Sequence, residues 1–143
     1  MAKWTIKLSA AELNRVLDDA FPGGDAAGEQ VQEISPGYAR VVRAFHPSML
    51  RPGDLVSGPT LMAVADMAAY VLVMAHVGPE LMAVTSSLTI HFLRGAARGD
   101  ITGEARLLSL GRRLAVSDIR LWTESPDRLA AHATVTYARA LSG

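Results

Sequence analysis

No cysteine occurs among the 143 residues, which excludes a disulfide framework, a thiolate metal site and a cysteine nucleophile. Net charge is absent as well. Fourteen Lys and Arg offset fourteen Asp and Glu, so no field of one sign draws the chain to nucleic acid or to an anionic membrane. Met1 to Leu13 lack an apolar stretch followed by a small-residue cleavage site, and the expected location is the cytoplasm. His46, His76, His91 and His132 lie scattered, without H-x-H or H-E-x-x-H spacing, so no metal site is expected. Also missing are a G-x-S-x-G elbow, a P-loop and a G-x-G-x-x-G turn. A serine hydrolase, a nucleotide hydrolase and a dinucleotide oxidoreductase drop out together, and no cofactor is called for. There is no internal repeat, linker or low-complexity tract, and the length suits one domain over 1–143.

Charge is scarcest between Leu55 and Pro79, where Asp66 is the only formally charged residue among alanines, valines, leucines and methionines. The apolar run from Leu61 to Ala75 is interrupted by that aspartate and falls short of the about 20 residues of a membrane span. It reads as part of a helix over 57–77, buried inside a folded domain. Ser57 stands at its N-cap, Pro59 in its first turn where a missing N–H costs nothing, and Gly78-Pro79 at its end. An ionised carboxylate in such surroundings loses several kcal/mol of solvation unless something compensates it. Asp66 is therefore a working group, or a structural one bonded to a hydroxyl such as that of Tyr70 one turn on.

Upstream, Ser9 with Glu12 three residues later is a capping-box signature for a helix from Ser9 to Ala20, closed by Pro22-Gly23-Gly24-Asp25 within an N-terminal portion 1–25. Glu29 to Ile34 and Tyr38 to Phe45 read as strands joined by Ser35-Pro36-Gly37, with a loop from His46 to Val56. Past the apolar helix the period drops to two. Val84 to Phe92, Ile101 to Leu110, Leu114 to Thr123 and Leu129 to Arg139 read as four consecutive strands, joined by turns and hence antiparallel. In the first of them Thr85, Ser87 and Thr89 alternate onto one polar face. The fold class is α+β, an antiparallel sheet curved around one long apolar helix.

The order of elements and the segment S-G-P-T-L-M-A-V-A-D-M-A, Ser57 to Ala68, resemble the hotdog fold, in particular the phenylacetate-pathway type of acyl-CoA thioesterase. T-S-S-L-T-I-H-F-L-R, G-R-R-L-A-V-S-D-I-R and A-A-H-A-T-V-T-Y are similar to that family's later strands, so the likeness covers roughly 38–139. In the family a His-Gly-Gly triplet opens the central helix and an aspartate nine residues after the His is the catalytic carboxylate. Here Ser57, Gly58 and Pro59 stand at the triplet and Asp66 at the carboxylate, while the asparagine usual six residues before the His is Arg51. The resemblance implies hydrolysis of a small or aromatic acyl-CoA, with Asp66 and Gly58 as the catalytic pair and Ser57 and Arg51 at the substrate. It also implies a homodimer or dimer of dimers in which Gly and Asp act from opposite subunits.

Thioester chemistry can be set beside the resemblance. Thiolate is a good leaving group, so hydrolysis needs an attacking oxygen and a donor for the growing oxyanion. The N–H of Gly58, in the first helical turn, has no intrahelical acceptor and lies at the positive end of the dipole. Asp66 can serve as base on water or as nucleophile. Eight residues place it about 12 Å further along the axis at a rise of about 1.5 Å each, too far for both to reach one carbonyl of one substrate. Thr85 and Ser87 are candidates for lining the pocket, and Arg112 and Arg113 for pairing with coenzyme A phosphates. Two other readings stand beside hydrolysis. One is an enoyl-thioester hydratase or dehydratase, because F-H-P-S-M-L-R-P-G is similar to the histidine-bearing loop ahead of the helix in acyl-carrier dehydratases. The other is a non-catalytic binder of acyl ligands.

Overall fold

Ser9 opens the first helix by reciprocal capping: its hydroxyl accepts from the Glu12 N–H at 3.1 Å, and the Glu12 carboxylate accepts from the Ser9 N–H at 3.0 Å. Those bonds to Ser9 hold the Glu12 carboxyl below its ordinary range. The computed structural model describes residues 3–21 and 28–140, so the expected Pro22-Gly23-Gly24-Asp25 turn lies outside the described residues. The helix is α1 (Ala10–Ala20), and its apolar stripe buries Leu13 and Leu17. Then come β1 (Glu29–Ser35), β2 (Tyr38–Arg43), a 3₁₀ turn at Pro47–Met49, β3 (Leu50–Arg51) and β4 (Leu55–Val56). The long helix α2 (Gly58–Val77) leads to β5 (Val84–Phe92), β6 (Ala96–Ala97), β7 (Ile101–Leu110), β8 (Leu114–Trp122) and β9 (Ala131–Ala138).

Six strands form one antiparallel sheet in the order β1-β2-β7-β8-β9-β5. The expected run of four neighbouring strands holds for β7, β8 and β9 and fails at its first member. β5 pairs with β9 at the sheet's edge, and β7 pairs with β2. The cause lies in the connection after Phe92, which is no hairpin: its Ala96-Ala97 pairs with Leu55-Val56 in a small second sheet beside the start of α2. The segment expected as a plain loop, His46 to Val56, supplies the 3₁₀ turn and the other two strands of that sheet.

The large sheet curves around α2. Leu61, Val64, Ala68, Leu72 and Met74 of the helix are buried, as are Val41, Ile101, Ile119, Leu121 and Val135 on the facing strands. Truncating a side chain such as Leu72 to alanine in this core costs about 2–5 kcal/mol. By length and composition this 20-residue helix could cross a membrane; it is longer than the apolar run in the sequence because Ser57 caps it early and Gly78 ends it late. Past its first turn, the stripe of Met62, Ala63, Asp66 and Met67, spaced three and four apart, is the part of its first half that escapes full burial. At the far end His76 ties helix to sheet. Its Nδ1–H donates to the Leu72 carbonyl at 2.9 Å, and its Nε2 accepts from the Gly37 N–H at 2.8 Å. Gly37 sits in the β1–β2 turn at φ 72°, where a Cβ would lie 2.8 Å from the Trp4 ring, so both conformation and space require glycine. A curved antiparallel sheet around one long apolar helix is the hotdog fold.

Candidate active site

Asp66 lies just short of halfway along α2 on its least covered stripe, half-buried, and both of its side-chain contacts fall on one oxygen. Oδ1 accepts from the Tyr137 hydroxyl at 2.8 Å and from the Thr85 hydroxyl at 2.5 Å, while Oδ2 has no hydrogen-bond partner among the described residues. Tyr137 is the last inward-facing residue of β9 and is buried. Burial, and then the neighbouring Asp66 carboxylate, push its hydroxyl well above an ordinary phenol's pKa against an opposing bond from Thr85, so it stays a proton donor. Its ring stacks on Tyr70 with centroids 5.7 Å apart. Tyr70 itself does not touch the carboxylate as the sequence suggested; its hydroxyl donates to the Leu81 carbonyl at 2.7 Å and holds the segment leading into β5. Asp66, Thr85 and Tyr137 open onto a cavity of about 420 Å³ whose remaining walls include Met67, Leu81 and Val84.

Gly58 is built differently. Ser57 caps α2, its hydroxyl accepting from the Thr60 N–H at 3.4 Å and lying 2.8 Å from the Thr60 hydroxyl. The Leu61 N–H bonds to the Ser57 carbonyl at 3.2 Å, and Pro59 has no N–H. Of the first-turn donors only Gly58 is left without an acceptor among the described residues. Its missing Cβ matters too, because one added there would meet the Phe92 ring at 3.3 Å. Gly58 borders a second cavity of about 490 Å³, together with Arg51, Leu61, Phe92 and Arg94.

The two cavities therefore sit at opposite ends of β5, one at Val84-Thr85 and the other at Phe92. Of the residues singled out from sequence, Asp66 and Thr85 are brought together in one cavity, and Gly58 and Arg51 in the other. Ser57 spends its side chain on the cap and borders neither. Ser87 is separated from Thr85 by a bulge: Thr85 pairs with inward-facing Tyr137, but Ser87 pairs with Thr136 on the outer face. Arg112 and Arg113 are exposed in the β7–β8 turn and border neither cavity.

The profile of the thioesterase superfamily matches residues 53–130, which hold α2, Asp66 and most of the later strands. The chain belongs to the thioesterase superfamily. A Silicibacter sp. TM1040 protein assigned as a thioesterase is 34% identical, with a TM-score of 0.85 over 96% of this chain and 95% of that one. A Saccharolobus solfataricus protein assigned as an esterase is 29% identical over 132 residues, 91% of this chain and 85% of its own length. A point mutant of the phenylacetic acid degradation protein PaaI from Thermus thermophilus is 26% identical, with a TM-score of 0.69 over 83% of this chain and 99% of that chain.

In this thioesterase-superfamily chain, sequence reasoning missed Tyr137, Phe92 and Arg94. A signal for Tyr137 was present. The alternation Ala131, Ala133, Val135, Tyr137 puts a phenol on the apolar face of β9, where its hydroxyl needs a partner, and α2 offers one carboxylate.

Proposed function

We propose that the protein is an acyl-CoA thioesterase, working as a homodimer in which Gly58 of one protomer and Asp66 of the other share each active site. The observation that carries this reading is the placement of the two half-sites at opposite ends of β5, a strand paired on one side only among the described residues. If the free edge of β5 pairs antiparallel with that of a second copy about a twofold near Leu88, the Phe92 end of one strand meets the Val84 end of the other. Each Gly58 then faces the second copy's Asp66, which removes the separation of about 12 Å along one helix set by a rise of about 1.5 Å per residue. The same contact would cover Met62, Met82, Val84 and Phe92, which are 41%, 77%, 58% and 53% exposed.

In that site the Gly58 N–H receives the thioester oxygen as charge grows on it. Asp66 acts through Oδ2, because Tyr137 and Thr85 occupy Oδ1 and fix the plane of the carboxylate. It serves as base toward a water or attacks the carbonyl carbon itself; coenzyme A thiolate leaves in both cases. Direct attack forms a mixed anhydride that water must then hydrolyse. An unlabelled first product from a single turnover in ¹⁸O-water, with the label in Asp66, identifies that route with water opening the anhydride at the Asp66 carbonyl, whereas base catalysis always labels the product. The apolar walls around Asp66 suit a small or aromatic acyl group. The hydratase reading asks His46 to share a site with the helix acid, but His46 borders a different cavity and its Nδ1 accepts from the Ser48 N–H.

Mixing two inactive variants tests the shared site. Asp66→Asn and Gly58→Val, unfolded and refolded together, should regain about a quarter of parental thioester turnover, because half the dimers are mixed and each mixed dimer has one intact site. No recovery from a mixture shown to contain mixed dimers would sink the reading.

A further inference from the structure

His91 and His132 stand directly opposite each other where β5 pairs with β9, on the outer face of the large sheet. Residues so placed have Cβ atoms about 4.5–5.5 Å apart. Two imidazoles can then reach one metal ion, each at about 2.0–2.1 Å. His91 is exposed, and its ring makes no hydrogen bond among the described residues. His132 commits only Nε2, whose N–H donates to Asp118 Oδ1. That bond fixes the tautomer and leaves the Nδ1 lone pair free; a carboxylate behind a histidine in this way orients the ring and makes it a stronger ligand. His76, by contrast, uses both nitrogens inside the core, and His46 caps the 3₁₀ turn through Nδ1. On β7 and β8 the same outer face carries Arg106 and Arg120, balanced by Glu104 and Asp118, so no net charge there opposes a cation. No third protein ligand completes the set among the described residues, and water would fill the remaining positions.

We propose that His91 and His132 form a two-imidazole site for a divalent transition ion, copper(II) ahead of zinc(II), which staples the edge strand β5 to β9. Asp118 is the positioning residue behind His132. Imidazole suits copper, nickel and zinc, and copper(II) binds a given nitrogen site most tightly of the three. Spacing along the chain could not show this pair, because only the register of β5 on β9 brings it together. The site lies on the face of the sheet turned away from α2 and borders neither the Asp66 cavity nor the Gly58 cavity. It stands independently of the thioesterase reading.

Calorimetric titration of the whole protein with copper(II) tests the site. The parent should bind the ion, and His91→Ala and His132→Ala should each weaken binding more than Asp118→Ala, which keeps both ligands and should weaken it about tenfold to a hundredfold, the range for a lost outer-shell partner. Electron paramagnetic resonance of the loaded protein should show coupling to two imidazole nitrogens in the parent and to one in His91→Ala. His91 is exposed on an edge strand, so its variant serves where His132→Ala fails to fold. Hydrogen exchange of the β5 amides should slow on adding copper(II) to the parent and stay unchanged in His91→Ala, because only the bridged strand is held to its neighbour. A parent that binds no copper(II), an affinity in His91→Ala equal to the parent's, or β5 exchange that the ion leaves unchanged in the parent overturns the proposal.

Discussion

In the proposed thioesterase, the two ends of β5 solve two halves of one chemical problem with different materials. At Asp66 the work is done by side chains that meet from three elements: the carboxylate from α2, a hydroxyl from the start of β5 and a phenol from the end of β9. At Gly58 it is done by main chain, a donor that the capping of α2 leaves over and a side chain that is absent. The difference teaches where each half is vulnerable. A network of side chains can be dismantled one bond at a time, with graded loss. A backbone donor survives every substitution except proline, so that half fails only by being filled.

The largest break comes from Asp66→Asn. Asparagine keeps the shape and an oxygen to accept from Tyr137 and Thr85, so folding should be retained while the charge is lost. Turnover should fall by roughly 10²-fold to 10⁴-fold, the range for a lost acid–base group. Thermal unfolding and initial rates on the same preparation check this. Parental turnover within threefold would make the carboxylate structural.

Filling the other half should cost less and should be partly reversible. Gly58→Ala leaves the N–H in place and sets a Cβ 3.3 Å from the Phe92 ring, a side chain able to yield. We expect kcat/KM to drop about tenfold, below the 10²-fold to 10³-fold for loss of an oxyanion donor. Adding Phe92→Ala should recover part of it, measured as a coupling energy in a double-mutant cycle. Strict additivity would mean that the Cβ obstructs the substrate and that Phe92 plays no part.

Tyr137→Phe removes one of the two donors to Asp66 and should lower kcat about tenfold or more, in keeping with about 1.5–3 kcal/mol for a hydrogen bond to a charged group. It also carries a pH signature. Because the hydroxyl's pKa is raised in the folded protein, chiefly by burial, folding favours its protonated form. That stabilisation is complete below the unfolded phenol value of about 10 and is lost as pH climbs beyond it. The difference in denaturation midpoint between parent and Tyr137→Phe should therefore be constant through neutral pH and shrink above about pH 10. A difference that stays flat at alkaline pH would deny the phenol its buried, carboxylate-facing role.

How far the sequence reaches follows the same division. Asp66, Gly58 and the Ser57 cap are legible because each is a local feature of one helix, where propensity, capping and charge pattern act within a few residues. Tyr137 stands 71 residues from Asp66, and no local rule joins them. The strand order departs from expectation for a similar reason. Turn signals say where a strand ends, but Ala96-Ala97, too short to show any alternation, decides that the chain crosses to β2. In β8, Ala115, Ser117, Ile119 and Leu121 face the core, and Val116, Asp118, Arg120 and Trp122 form the partly exposed outer face, where Asp118 pairs with His132 of β9.

The finest contrast is between two hydroxyls that the sequence treats as equivalent. Thr85 and Ser87 are two residues apart, and a strict period of two puts both on one face. The register shift between them inserts Ser86 as an extra residue, so Thr85 turns in to Asp66 and Ser87 turns out beside Thr136. Thr85→Ala removes the other donor to Oδ1 but leaves Tyr137 in place, and turnover should fall about threefold to tenfold, less than the whole of one such bond to a charged group because Tyr137 still holds the carboxylate. Thr85→Ser keeps the donor and should restore most of the rate. Ser87→Ala should leave kcat and KM within about twofold, as for an ordinary surface substitution. Equal losses at the two positions would mean that the bulge does not persist in the working enzyme and that the edge of β5 re-registers when a second copy pairs with it.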